Sequence, residues 1–159
     1  MPTLLDGRSL PEAALSVDPF RPLLAALREE WGVMSARQGC GIGRCGACLV
    51  LLDGVPALAC LTPAHRAAGR AVTTAAGLDQ ALAARVLAAL AAERAFQCGA
   101  CAPGILVALT WLLAAHPETG AAEAEALLAG QLCRCAAHGG LRRALAHLFP
   151  SPSHPETRP

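Results

Sequence analysis

Cysteines are the residues of this chain whose type and spacing could do chemistry. Cys40, Cys45 and Cys48 lie on one short stretch that also holds three glycines, and Cys60 follows twelve residues after Cys48. The spacing C-x4-C-x2-C, followed by one more distant cysteine, is that of plant-type [2Fe–2S] sites. Glycines suit a loop that turns its backbone N–H groups towards cluster sulfur. These four cysteines are therefore predicted to hold one [2Fe–2S] cluster.

The other four cysteines form a second set, Cys98-x2-Cys101 and Cys133-x-Cys135. Each pair lies beside a predicted helix, where helix ends leave backbone N–H groups free. Zinc ligands are commonly separated by two to four residues, so a Cys-x-Cys pair is unusual for zinc. The spacing favours an iron–sulfur cluster, and a zinc site stays open as the alternative.

Composition narrows the class of protein. The chain has 159 residues and a formal net charge of +1, so one or two small domains fit and a nucleic-acid partner is not indicated. No apolar run reaches the ~20 residues needed to span a bilayer. The first residues carry neither a basic segment nor a long apolar one, so no export signal is visible. We therefore expect metal-bound cysteines in the reducing cytoplasm and not disulfides.

Residues 1 to about 75 carry the patterns of a small mixed sheet covered by one helix. Asp6-Gly7 predicts the turn of a hairpin over residues 4–17, with Ala14–Val17 as its second strand. Pro22 and the apolar face that follows it predict a helix to Trp31. Asp53-Gly54 predicts the turn of a second hairpin, between residues 49 and 61.

Helical patterns dominate the rest of the chain, beyond a boundary marked by Gly69 to Thr74 and Gly77. Leucine and valine at every fourth position predict a helix over 78–95. Pro103 predicts the start of the next helix, which ends at His116. Two further helices are expected over about 122–129 and 141–148. Residues 150–159 have the composition of a disordered tail.

The motifs around both cysteine sets resemble those of the two-cluster iron–sulfur subunits, or N-terminal domains, of the molybdenum hydroxylases. That family includes xanthine dehydrogenase, aldehyde oxidoreductases, carbon monoxide dehydrogenase and bacterial N-heterocycle oxidoreductases. The resemblance covers roughly Leu4 to Phe149 and finds a place for all eight cysteines. Its matching segments are Asp53-Gly54, Gln97-Cys98-Gly99-x-Cys101-x-Pro103-Gly104 and Gly130-x-Leu132-Cys133-Arg134-Cys135.

The resemblance implies a fold and a role for this chain. The fold would be α+β, with a ferredoxin-like β-grasp domain over 1–75 and a four-helix [2Fe–2S]-binding bundle over 76–149. The second cluster would lie near the molybdopterin cofactor of a large molybdenum-binding partner. Gln97 matches the glutamine that hydrogen-bonds the pterin, and Cys135 matches the cysteine at the pterin edge. Electrons would pass from molybdenum through both clusters, and usually on to FAD in a medium subunit, although some family members lack FAD.

Three departures from the family pattern are visible. Ala102 stands where a threonine is frequent, Ala136-Ala137-His138 replaces Thr-Gly-Tyr, and Arg21 replaces a threonine that caps the first helix. The first two changes remove hydroxyl groups beside the second cysteine set. They alter the surroundings of that set but leave its ligands in place.

Other residues give little indication of chemistry. Arg134 lies between two predicted ligands, so we expect its positive charge to tune the negatively charged second cluster. For Arg44, on the first loop, both interpretations stay open: tuning of the first cluster or a surface charge. The histidines and tryptophans are expected to be packing or surface residues. No catalytic set is recognised, so no substrate-transforming site is predicted on this chain. The resemblance implies an electron-transfer subunit of a molybdenum hydroxylase. The rivals are a freestanding ferredoxin-like carrier and a structural zinc module.

Overall fold

The structure is a computed structural model that describes residues 2–11, 18, 20–135 and 138–150. Within these ranges the chain forms one five-stranded sheet and five helices, so the predicted α+β class is confirmed. The strands are β1 (Leu4–Leu5), β2 (Arg8–Ser9), β3 (Leu49–Leu52), β4 (Val55–Leu58) and β5 (Ala71–Thr73). The helices are α1 (Leu23–Ala25), α2 (Gln80–Ala92), α3 (Ala102–Ala115), α4 (Ala121–Leu127) and α5 (His138–Leu148). None of the helices in the described ranges is long and apolar enough to cross a membrane.

The sheet has the strand order β2-β1-β5-β3-β4. β1 is parallel to β5, and the other neighbouring pairs are antiparallel. Both predicted Asp-Gly turns are present: Asp6-Gly7 joins β1 to β2, and Asp53-Gly54 joins β3 to β4. The predicted mixed sheet is therefore confirmed.

Two predictions about the strands need correction. The first hairpin is shorter than expected, because its second strand is Arg8–Ser9, directly after the turn; Ala14–Val17 lies outside the described residues. β5 lies within the stretch from Gly69 to Thr74, where no strand is predicted, and it occupies the middle of the sheet. Only three residues long, β5 has too little pattern to be recognised locally. Its place depends on pairing with β1 and β3, which are distant in sequence.

The first helix lies where it was predicted, and its apolar face is buried as expected at Leu23, Leu24 and Leu27. It begins one residue later, since Pro22 is its N-cap, and it continues as a π-helical turn over Ala26–Glu30. Arg21, which stands in place of a capping threonine, binds the carboxylates of Glu29 and Glu30 instead. Apolar spacing alone does not distinguish a π-turn from an α-helix.

The remaining helices lie in the predicted order, with some shifts at their ends. α4 runs into a short 3-10 turn over Leu128–Gly130. α5 begins at His138, three residues before the predicted start, although it then contains two glycines. A Cβ at Gly140 would lie 3.1 Å from Ala95 Cα and still closer to Glu93 O. Glycine there lets α5 approach the end of α2, a tertiary reason that local helix propensity does not reveal.

Strand β3 separates two apolar cores. Val50 and Leu52 belong to a core formed with α1 and the rest of the sheet, whereas Leu49 and Leu51 pack against the core of the helices. Side chains alternate across a strand, so both faces of β3 are covered. α3 packs on β3 and β4, α2 packs on α3 and α5, and α5 also packs on α4. This strand anchors the first cysteine loop, because Cys48 directly precedes it.

Candidate metal centres

The first cysteine loop runs from Cys40 to Cys48 without helix or strand and leads into β3. Gly43 has a φ of +74°, and a Cβ there would lie 2.9 Å from Leu61 Cγ and still closer to its Cδ1. Glycine is needed at this position because other residues rarely adopt such a φ. Cys60 follows β4, and β3 and β4 pair along their length. The hairpin therefore brings Cys60 back beside Cys48.

Backbone N–H groups of the loop point at its thiols. Ile42 N–H and Arg44 N–H donate to Cys40 Sγ at 3.5 and 3.2 Å, and Cys40 N–H donates to Cys45 Sγ at 3.3 Å. The hydrogen bonds from Ile42 and Arg44 lower the pKa of the Cys40 thiol to about 7. Donors of this kind stabilise a thiolate and would equally stabilise a sulfur bound to metal.

The other two thiols of the first set are buried. Cys48 is 3% exposed and Cys60 is 7% exposed. Burial raises the pKa of the Cys48 thiol to about 11. Side-chain hydrogen bonds join Cys48 to Cys60 and Cys40 to Cys45. The four thiols are thus arranged as two pairs. Cys48 and Cys60 are both buried, whereas Cys40 is exposed and its neighbour Cys45 is half-buried.

The second set also forms two thiol pairs, and these lie at the ends of helical elements. Cys101 is the N-cap of α3, and Cys133 and Cys135 lie between the 3-10 turn and α5. The Cys135 thiol donates to Cys98 Sγ at 3.4 Å, and a side-chain hydrogen bond joins Cys101 to Cys133. A backbone hydrogen bond from Ala100 lowers the pKa of Cys98, whereas burial raises the pKa of Cys101 to about 11.

The donor sets fit binuclear clusters. All eight cysteines lie in the described part of the chain, and none forms a disulfide. Among the described residues, no three His, Cys, Asp or Glu side chains are arranged to hold one metal ion. Each set instead forms two thiol pairs, and a [2Fe–2S] cluster takes four cysteine thiolates shared between two irons. The pairing therefore suits two irons per set.

The two sets face one cavity of about 210 Å³. Its lining includes two thiols of the first set and all four of the second: Cys40, Cys45, Cys98, Cys101, Cys133 and Cys135. Leu132 N–H, next to Cys133, donates to the carbonyl oxygen of Cys45 at 3.1 Å. The structure thus brings together two sets that are far apart in sequence, which spacing alone did not indicate.

The other predicted site residues are distributed around this cavity. Gln97 is exposed and directly precedes Cys98, and Arg134 is exposed in the cavity wall. Arg44 is exposed on the first loop. His138 lines a neighbouring cavity between α4 and α5, and Ala102 is the first residue of α3. Ala136 and Ala137 lie outside the described residues.

The described histidines away from the cysteines have packing or surface contacts, as expected. His65 makes an edge contact with Phe20, and His116 makes one with Trp111. His147 lies 3.2 Å from a Glu93 carboxylate oxygen. His154 lies outside the described residues.

Gln131 is the residue at this site that the sequence did not indicate. It is 8% exposed, and its side chain lies over Gly46 of the first loop. Its place two residues before Cys133 is the only local sign of a role. Nothing in the sequence shows that the two loops meet there.

Comparison with known proteins agrees with the geometry. The profile of a family described as "[2Fe-2S] binding domain" matches residues 74–146. The chain is 42% identical over 120 residues to the xanthine dehydrogenase iron-sulfur-binding subunit of Escherichia coli, covering 74% of this chain and 75% of that one. Its fold is similar to quinoline 2-oxidoreductase from Pseudomonas putida 86, with a TM-score of 0.78, 31% identity and coverage of 91% and 88% of the two chains.

A further relative is the nicotine 6-hydroxylase small subunit of Paenarthrobacter nicotinovorans. The identity is 36% over 121 residues, which cover 76% of this chain and 73% of that one. The structural overlap of 91% with the quinoline enzyme is long enough to span both cysteine sets and the elements that carry them. The chain therefore belongs to the family of small iron–sulfur subunits of the molybdenum hydroxylases and is an electron-transfer component of an oxidoreductase.

Proposed function

We propose that this chain binds two [2Fe–2S] clusters, one on each cysteine set. Cys40, Cys45, Cys48 and Cys60 hold the first cluster, and Cys98, Cys101, Cys133 and Cys135 hold the second. The arrangement of each set as two thiol pairs is the observation that carries this proposal. Bound clusters supply one-electron redox chemistry, and the chain supplies thiolates, N–H donors and burial.

We also propose the finer fold assignment. The sheet and its helix form a ferredoxin-like β-grasp domain over 1–75, and α2 to α5 form a four-helix bundle over 76–149. Two separate apolar cores support this division. The expected disordered tail, 150–159, remains a prediction, since residues 151–159 lie outside the described ranges.

The proposed partner is a large subunit that holds a molybdopterin-type molybdenum cofactor. Gln97 and Cys135 contact the pterin in this proposal. Gln97 is exposed beside Cys98, and Cys98 lies 3.4 Å from Cys135, so one side of the second set is available to a partner's cofactor. Electrons then pass through the second set to the first and leave for FAD on a medium subunit. We also propose a cytoplasmic location, since eight cysteines in two metal-binding patterns suit a reducing compartment.

Metal and acid-labile sulfide analysis of the purified complex tests this proposal. We expect about four irons and about four sulfides per chain, because each cluster carries two of each. The chain should also co-purify with a larger molybdenum-containing subunit. A colourless protein that contains zinc in place of iron would overturn the proposal. Clusters on a chain that purifies without a large subunit would instead favour a freestanding carrier.

A further inference from the structure

The two cysteine loops touch through their backbones at one point. The Leu132 N–H donates to Cys45 O at 3.1 Å. A Cβ at Gly104, in the first turns of α3, would lie 3.0 Å from Ala47 Cα and still closer to Gly46 O. The elements that carry the second set therefore lie directly against residues 45–47 of the first loop.

One side chain, that of Gln131, fills the space at this point. A Cβ at Gly46 would lie 2.5 Å from Gln131 Nε2 and still closer to its Cδ and Oε1. The φ of Gly46 is +73°, so the loop presents its bare Cα to the amide. Gln131 thus touches the residue after Cys45 and itself lies two residues before Cys133.

Hydrogen bonding does not explain why the side chain at position 131 carries an amide. Its Oε1 is buried, and no donor in the described part of the chain reaches it. A buried amide oxygen without a donor is unfavourable, so an apolar residue would be expected if folding stability were its only role. The side chain of Gln131 instead makes a close steric contact with the first loop at Gly46.

We infer that Gln131 is a positioning residue that sets the spacing of the two cysteine sets and thereby the electron exchange between them. The inference rests on the proposed function, in which each set holds a cluster. In the exchange one electron leaves the second-set cluster, which is oxidised, and reduces the first-set cluster; no proton or group moves. The rate of such a step falls steeply with distance, so the thickness of one side chain between the loops matters.

The test compares Gln131→Ala with a matched control, Gln80→Ala, in the purified complex. Gln80 is the first residue of α2, and its amide donates to Leu78 O, away from the cysteine cavity. Both variants should keep the iron content and both reduced-cluster EPR signals. Only Q131A should change the low-temperature splitting that arises when two reduced clusters interact, and only Q131A should change the rate of electron exchange between them.

Gln131→Met separates spacing from hydrogen bonding. Methionine is close to glutamine in length and lacks the amide, so Q131M should keep the splitting of the natural chain. If Q131A loses iron altogether, this variant decides the question. Wild-type splitting in Q131M supports the inference, and altered splitting overturns it.

A double-mutant cycle tests the contact itself. Gly46→Ala places a methyl group against Gln131 and should disturb the first-set signal. Q131A in the same chain makes room for that methyl group, so the double variant should recover part of the signal; recovery is partial because φ at position 46 remains unfavourable for alanine. If the effects of G46A and Q131A on the first-set signal simply add in the double variant, the inference is overturned. Unchanged splitting in Q131A alone, at full iron content, would also overturn it. Absence of two clusters from the natural chain would instead overturn the proposed function.

Discussion

The thiols of each cysteine set lie in two contrasting environments. Cys40 and Cys98 are exposed and their pKa values are lowered by backbone hydrogen bonds, from Ile42 and from Ala100 respectively. Cys48 and Cys101 are buried, and burial raises their pKa values to about 11. Metal binds thiolates, so assembly of either site must release protons from the buried thiols. Cys40 and Cys98 are therefore closer to the thiolate form that metal binds than Cys48 and Cys101 are.

Gly43 is expected to be intolerant of substitution. Gly43→Ala meets Leu61, which is exposed and can move aside, so most of the cost comes from the φ of +74°. We expect a loss of stability of about 1–2 kcal/mol and faster loss of the first-set absorbance in denaturant. Gly120→Ala is the control, since a Cβ there meets nothing within 4 Å. Equal effects of the two variants on the first set would argue against this account of the loop.

Arg134 is expected to tune the second set. It is exposed in the wall of the cavity that both sets line. A positive charge favours the more negative, reduced cluster, so Arg134→Gln should lower the reduction potential by roughly tens of millivolts, as for a solvent-screened charge. Redox titration followed by EPR measures the change. Arg142→Gln, which removes an ion pair with Glu125, serves as the control. A shift of equal size in both variants would count against a role for Arg134.

At the scale of elements, Glu93 joins the end of α2 to α5. It accepts from Arg143 Nε at 2.6 Å, and His147 Nε2 lies 3.2 Å from its other oxygen. The hydrogen bond from Arg143 and that of His147 lower the pKa of Glu93 below its ordinary value of 4.5. Because the pKa of Glu93 is lower in the folded state, its ionised carboxylate stabilises the fold at pH values above the ordinary pKa. This stabilisation is lost as the pH falls through the folded-state pKa.

Glu93→Gln should therefore lower the melting temperature near neutral pH, and the difference from the natural chain should shrink as the pH falls below the ordinary pKa of 4.5. The Glu93 side chain is only partly buried, so the effect should be small and should weaken in high salt. Thermal unfolding across this pH range measures it. A difference that stays constant with pH would show that charge at Glu93 is not what joins the two helices.

Elements with strong local patterns could be predicted from the sequence, and elements defined by distant contacts could not. The hairpin of β3 and β4 has a clear turn between two apolar strands, and α2 and α3 have clear apolar stripes. β5 has only three residues and depends on β1 and β3. The early start of α5 depends on the fit of Gly140 against Glu93. Local sequence contains neither contact.

At the scale of the whole molecule, the sequence indicated which cysteines form each set but not how the sets meet. Cysteine spacing reflects the chemistry of one site at a time. The shared cavity and the Leu132–Cys45 hydrogen bond arise from the packing of α3 on β3, which no local motif records. Local sequence does not indicate Gln131 for the same reason, since its contact at Gly46 is made across the two loops.

Removal of iron should loosen the loops before the cores. The first loop lacks helix and strand, whereas β3 and the helices are held by two apolar cores. After chelation we expect faster hydrogen exchange at 38–48, 97–101 and 131–135, with protection retained in α2 and α3. Peptide-resolved mass spectrometry measures this exchange. Loss of protection across α2 and α3 would mean that metal, and not apolar packing, holds the helices together.

EPR of the dithionite-reduced complex tests the central claim most directly, with the natural chain beside Cys45→Ser and Cys98→Ser. Two signals are predicted for the natural chain. C45S should lose one signal and C98S the other, with iron falling by about half in each, because each set holds its own cluster. Loss of both signals in each variant, or retention of both in either one, would contradict the assignment of two separate four-cysteine sites.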